Sequence, residues 1–179
     1  MKPTIIALTC LLALAYAATT ASAVTCTFDI RVKTGEKLGA GTNSRVTLQV
    51  SDAGGQTLVI PDLTSWGQMG PGYDYFEFGH LDRFSGTGTC FFPNAPCQML
   101  LYTDGKGFGP GWYVSYVQVT QLVQGSITSK MHTWTVEQWL AVDEPPYALW
   151  ALRDDCVVPF SAAALHHRPS SSSAGVEAD

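Results

Sequence analysis

Between Trp66 and Tyr116 the chain concentrates 13 of its 20 aromatic residues and 10 of its 17 glycines. Aromatics at strand spacing suit pleated, half-buried strands, and the intervening glycines supply turns. The stretch therefore describes an antiparallel β domain. Its acidic residues sit among turns rather than opposite a nucleophile, which favours a binding module over an enzyme.

The flanking sequence extends the pattern. Cys26 to Lys33 alternates, with Cys26, Phe28, Ile30 and Val32 inward, as in a half-buried strand. Val46, Leu48 and Val50 form the inward set of a second strand, and Asp52-Ala53-Gly54-Gly55 turns it into a partner ending at Ile60. Tyr73 to Phe78 is predicted as a short strand, and Phe84 opens another segment. Gln98 to Thr103 continues the series before the glycine-rich loop from Asp104 to Gly111. Trp112 to Thr120 is apolar on both faces, which places it centrally in its sheet. His132 to Trp139 reads as a strand or as the lead into a helical turn, and Tyr147 to Asp155 as a short helix. Many short strands separated by turns predict a sandwich.

Residues 1–23 carry Lys2, an apolar run from Ile5 to Ala17 and the small-residue site Ala21-Ser22-Ala23, the layout of a cleaved secretory signal peptide. The run is shorter than a membrane span of roughly 20 residues. No second such run follows, so no transmembrane segment is expected after signal cleavage. Export, or residence in the endoplasmic reticulum, is the expected location. The formal net charge of −5 becomes one unit more negative when Lys2 leaves. This argues against nucleic acid as a partner and against simple attraction to anionic lipid. Residues 157–179, rich in Ala, Ser, His and Pro, are predicted to be a disordered tail.

Cys26, Cys90, Cys97 and Cys156 remain after cleavage, an even number in an oxidising compartment, and two disulfides are expected. Three pairings are open. The short loop between Cys90 and Cys97 favours joining those two, which leaves Cys26 with Cys156. Zinc is disfavoured because no paired Cys-x-x-Cys motif is present.

Enzyme signatures are missing from the sequence: there is no Gly-x-Ser-x-Gly elbow, no His-Glu-x-x-His helix and no phosphate-binding glycine loop. A hydrolase would have to use Asp74, Glu77 or Asp82. The same oxygens suit a calcium ion, which takes carboxylates, amides and carbonyls from neighbouring loops. Asn43, Asp74 and Glu77 are the candidate metal ligands. Trp66, Met69 and Phe108 are the candidate lipid or partner contacts, because apolar groups on loop tips can enter an interface. Trp66 has the alternative of folding back as a lid on the core, and Trp112 reads as core. A carbohydrate-binding cell-wall module using Trp66, Tyr73 and Trp112 is the competing class.

Three motifs in order resemble the PLAT domain of polycystin, lipoxygenase and alpha-toxin. They are Gly41-Thr42-Asn43-Ser44-x-Val46-x-Leu48, Phe76-Glu77-x-Gly79-x-x-Asp82-x-Phe84 and Trp112-Tyr113-x-x-Tyr116-Val117-x-Val119. Ile60-Pro61-Asp62-Leu63, Met69-Gly70-Pro71-Gly72-Tyr73 and Val136-Glu137-Gln138-Trp139-Leu140-Ala141 are similar to the plant-stress PLAT proteins. The resemblance implies an all-β, PLAT-type antiparallel β-sandwich of two four-stranded sheets. The domain would span 24–121, with a C-terminal extension packed on it at 122–156. It also implies a non-catalytic protein that binds a lipid surface or protein partners, in some members through calcium, with a role in abiotic-stress tolerance and growth. Two positions depart from the family pattern. Asn43 stands where the family has Asp, and Phe78 where it has Arg.

Overall fold

The structure, a computed structural model, describes residues 24–157. The signal-peptide reading and the tail from residue 158 onward lie outside the described residues. The described chain is all-β apart from one 3-10 turn, Leu63–Trp66. The strands are β1 (Thr25–Thr34), β2 (Val46–Asp52), β3 (Thr57–Ile60), β4 (Leu81–Thr89), β5 (Pro96–Thr103), β6 (Trp112–Val123), β7 (Ser129–Leu140) and β8 (Trp150–Asp154). They form two four-stranded antiparallel sheets, ordered β4-β1-β6-β7 and β3-β2-β5-β8.

The expected alternation places the core. Cys26, Phe28, Ile30 and Val32 of β1 are fully buried, and so are Val46, Leu48 and Val50 of β2. β6 lies between β1 and β7, as expected of a central strand, and both of its faces are buried where it begins, at Trp112, Tyr113 and Val114. Trp112 sits at its start, fully buried. It stands edge-on to Phe76 at 5.0 Å and donates its indole N–H to Thr34 Oγ1 at 2.9 Å. A buried indole N–H needs such a partner.

Four expectations change. Tyr73–Phe78 is a turn segment, not a strand, because Phe76 takes a positive φ of 63° and so cannot stay in an extended ladder. Tyr147–Asp155 contains no helix and instead supplies β8, whose Leu100↔Leu152 register completes the second sheet. β7 and β8, both within 122–156, are an edge strand of each sheet. The sandwich therefore runs to Asp154 rather than stopping at 121.

The fourth change is the disulfide pairing, Cys26–Cys90 and Cys97–Cys156. Register dictates it. Cys26 faces Gly88 on β4, two residues before Cys90. Cys97 precedes Gln98, which pairs with Asp154, two residues before Cys156. Both bridges therefore close the same end of the sandwich. At that end Phe91 exchanges two hydrogen bonds with the buried Gln121 side chain, standing in for backbone pairing where the chain leaves β4. The opposite end carries the long loops 35–45, 67–80, 104–111 and 141–149.

Candidate functional site

The long-loop end is built on hydroxyl groups. Thr42 and Ser44, both buried, reach across to the glycine-rich loop. Thr42 Oγ1 donates to the Pro110 carbonyl at 3.2 Å, and Ser44 Oγ donates to the Lys106 carbonyl at 2.8 Å. The Thr42 amide also donates to the Phe76 carbonyl. Three loops distant in sequence are thereby tied together. Gly107 adopts φ 93°, and a Cβ there would lie 3.1 Å from the Asn43 carbonyl oxygen. This close approach holds the 104–111 loop against the 41–44 segment and leaves Phe108 at its tip, 90 % exposed.

Asn43 is exposed and borders two adjacent recesses. The first, about 310 Å³, is lined by Thr42, Ser44, Thr64, Tyr73 and Asp74. The second, about 240 Å³, is lined by Gly39, Gly41, Glu77, Phe78 and Phe108. Asp74 and Glu77 thus lie on different sides of Asn43. Each recess offers one carboxylate and one neutral amide, and no cluster of three His, Cys, Asp or Glu side chains occurs among the described residues. The residues present do not assemble the charge-rich oxygen cage that a tight calcium site requires.

The apolar candidates separate in the same way. Phe108 is a loop tip, and Met69 is exposed on its own loop. Trp66 is not a tip. It closes the 3-10 turn, and its indole lies flat against Gly86 of β4, where any Cβ would collide with the ring. It packs onto the core as a lid. Leu38 at 97 % and Phe78 at 54 % are among the exposed apolar residues at this end that escaped sequence reasoning, along with Val142 and Tyr147 on the 141–149 loop. Phe78 lines the recess of Glu77 and Phe108, and Leu38 precedes Gly39, which lines it too. The signal was present in Phe78, which replaces the family's Arg.

Beneath the loops lies a buried polar network. Asp82 is fully buried, and its Oδ2 accepts from the Phe76 amide at 2.7 Å. That bond holds Phe76 in its left-handed conformation. Asp82 Oδ1 has no partner. Tyr73 lies close by, but its short hydrogen bond runs to His80 Nδ1 at 2.9 Å. Burial raises the pKa of Asp82, against the lowering effects of the Phe76 amide, Tyr73 and His80. Burial, aided by Asp82, pushes the Tyr73 phenol up to about 12. Asp82 is committed to the fold and is no surface carboxylate, which removes it from the hydrolase reading. Trp112, in the core, leaves the carbohydrate reading of the Trp66, Tyr73 and Trp112 set.

The PLAT/LH2 domain profile matches residues 28–150. The chain belongs to the PLAT/LH2 family. Among its relatives, PLAT domain-containing protein 2 of Arabidopsis thaliana is 42 % identical over 134 residues, 74 % of this chain and 72 % of the relative. PLAT domain-containing protein 3 of the same plant is 47 % identical over 105 residues, 58 % of this chain and 100 % of the relative. Solved structures of similar fold include coral 8R-lipoxygenase, described as calcium-activated via a C2-like domain. It is 18 % identical with a TM-score of 0.50, over 72 % of this chain and 16 % of that one. A calcium-dependent 11R-lipoxygenase matches with a TM-score of 0.50 at 18 % identity, over 79 % of this chain and 19 % of that one. The PLAT chain spans under a fifth of either lipoxygenase, and the likeness establishes the shared sandwich. Its two disulfides are consistent with a secretory or extracellular protein. No helix among the described residues is long and apolar enough to cross a membrane.

Proposed function

We propose that this PLAT domain is a non-catalytic module of the secretory pathway that docks on a lipid surface or protein partner through its long-loop end, in the setting of plant stress response and growth. The observation that carries this reading is the exposed apolar pair Phe78 and Phe108 on either side of one recess, with Leu38 fully exposed on the chain next to its Gly39 wall. Burying each such side chain in an interface is worth roughly 1.5–3 kcal/mol, so three together suffice for attachment without a basic patch. The domain's acidic balance fits this, since attraction to anionic lipid is not required.

Calcium has a secondary place. The two lipoxygenases of similar fold are described as calcium-activated and calcium-dependent. In this chain Asn43 puts a neutral amide between Asp74 and Glu77. Asn43→Asp would give each recess a second carboxylate. Calorimetric titration should find weak or no calcium binding by the parent protein and binding at least about tenfold tighter by the variant, since ligand charge count sets affinity at such sites.

Attachment itself is tested by sedimentation with phosphatidylcholine vesicles containing phosphatidylserine, with and without calcium. Phe108→Asp and Leu38→Asp should each weaken vesicle binding by about tenfold or more, because a charge replaces an inserted apolar group. Unaltered sedimentation of both variants would remove the lipid reading and leave protein association through the same end.

A further inference from the structure

A second cleft, sharing no lining residue with the Asn43 recesses, lies where edge strands β7 and β8 meet. Its origin is a register shift. Val114 faces Gln138 but Tyr116 faces Thr135, so Val136 and Glu137 together oppose Ser115 alone. This is a β-bulge, and Glu137 takes φ 43° within it. Arg153 of β8 collects the disturbed carbonyls, donating from Nε to Thr135 at 3.0 Å and from Nη2 to Val136 at 2.6 Å. Gln138 returns a bond to the Trp150 carbonyl at 3.0 Å. The bulge is thus braced from both sides, and it turns Glu137 toward Tyr113, whose hydroxyl donates to Oε2 at 2.9 Å.

The result is an open cleft of about 540 Å³, within the roughly 300–1,000 Å³ usual for small-ligand sites. Tyr113 and Trp139 form its aromatic part, edge to face at 5.4 Å. Lys37 sits 3.9 Å above the Tyr113 ring, and Pro145 and Pro146 form the far wall. Two cations, Lys37 and Arg153, face two carboxylates, Glu137 and Glu144. No carboxylate pairs with Arg153, and the Glu144 carboxylate has no hydrogen-bond or ion-pair partner among the described residues, its backbone carbonyl alone accepting from the Tyr147 amide. An anionic ligand would meet both glutamates, and a cationic one would meet Lys37 and Arg153. The balance suits a neutral ligand rich in both donors and acceptors, with an apolar C–H face for the rings.

We infer that this cleft binds a neutral saccharide, with Trp139 as the stacking surface and Glu144, Glu137 and Lys37 hydrogen-bonding to hydroxyls. The test is calorimetric titration of the secreted chain with cellohexaose, xylohexaose and mannohexaose, beside an oligogalacturonate, a chitosan oligomer and a proline-rich peptide. At least one neutral hexasaccharide should bind. The Glu144 side chain is exposed and makes no hydrogen bond or ion pair within the fold, so Glu144→Gln should leave the melting temperature unchanged while weakening that binding about tenfold, the worth of one hydrogen bond to a charged group. Trp139→Ala should abolish it, and Phe108→Asp should not affect it. No heat with any neutral hexasaccharide, tighter binding of the charged oligomers or of the peptide, or binding indifferent to Glu144→Gln would each overturn the inference.

Discussion

Replacing Cys97 and Cys156 together by serine should lower the unfolding free energy by about 4 kcal/mol. The bridge closes a separation of 59 residues, and loop-closure entropy in the unfolded chain gives that magnitude. Both cysteines are partly exposed, so the hydroxyls add little desolvation cost. The Cys26–Cys90 bridge spans 64 residues and should be worth about the same. Its cysteines are buried, so alanine is the cleaner replacement. The two loops follow one another along the chain and do not nest, so their effects should add. Together they rival the entire stability of an ordinary domain, about 5–15 kcal/mol, and the protein lacking both should be close to unfolding at room temperature. Urea denaturation of the parent and the two double variants measures this. Peptide mapping without reductant is the companion check, and a fragment joining Cys90 directly to Cys97 would contradict the pairing.

That pairing shows where sequence reading stops. The loop between Cys90 and Cys97 is short enough to suggest a bridge, but which cysteines meet depends on register. Cys26 lies beside Cys90 only because β1 pairs with β4, and Cys97 beside Cys156 only because β5 pairs with β8. β8 itself was hidden behind Pro145 and Pro146, in a segment that looks helical. By contrast, β1 and β2 were legible because their apolar period is 2 and their inward residues fill one core, and β6 because it is a long run apolar on both faces.

The loop end was half legible. The Gly41–Ser44 motif marked the segment that pins the glycine-rich loop, and Phe108 stood out as a large apolar residue among glycines. Trp66 looked equally exposed, and only the bare surface of Gly86 shows that it folds inward. Asn43, Asp74 and Glu77 do converge on one end, yet the direction each faces across Asn43 is a property of turns that sequence does not specify. The β7–β8 cleft was invisible for a different reason. Lys37, Tyr113, Glu137 and Arg153 come from four separate elements, brought together by a one-residue bulge.

The same loops depend on Asp82, whose replacement should have the second large effect. Asp82→Ala would strand the Phe76 amide inside the core at φ 63°. Losing a charge-assisted hydrogen bond and leaving the donor unsatisfied should cost about 3 kcal/mol, and loops 35–45 and 67–80 should loosen with it, since Thr42 bonds to Phe76. Asp82→Asn separates shape from charge. The carboxyl's pKa is raised in the folded state above its ordinary 3.8, chiefly by burial. The unfolded chain therefore releases this proton first as pH rises. Over the window between the ordinary value and the raised one the native state binds more protons, so this group's contribution to stability falls with rising pH and stays low above it. Asparagine can still accept from the Phe76 amide but has no proton to release. The stability difference between parent and Asp82→Asn should thus shift in favour of the variant as pH climbs above about 4 and level off once the folded carboxyl has ionised. Urea midpoints between acid and neutral pH read this difference directly. A constant difference across the range would mean that Asp82 titrates in the folded protein as it does in the unfolded chain, and that the unpartnered Oδ1 carries no desolvation cost.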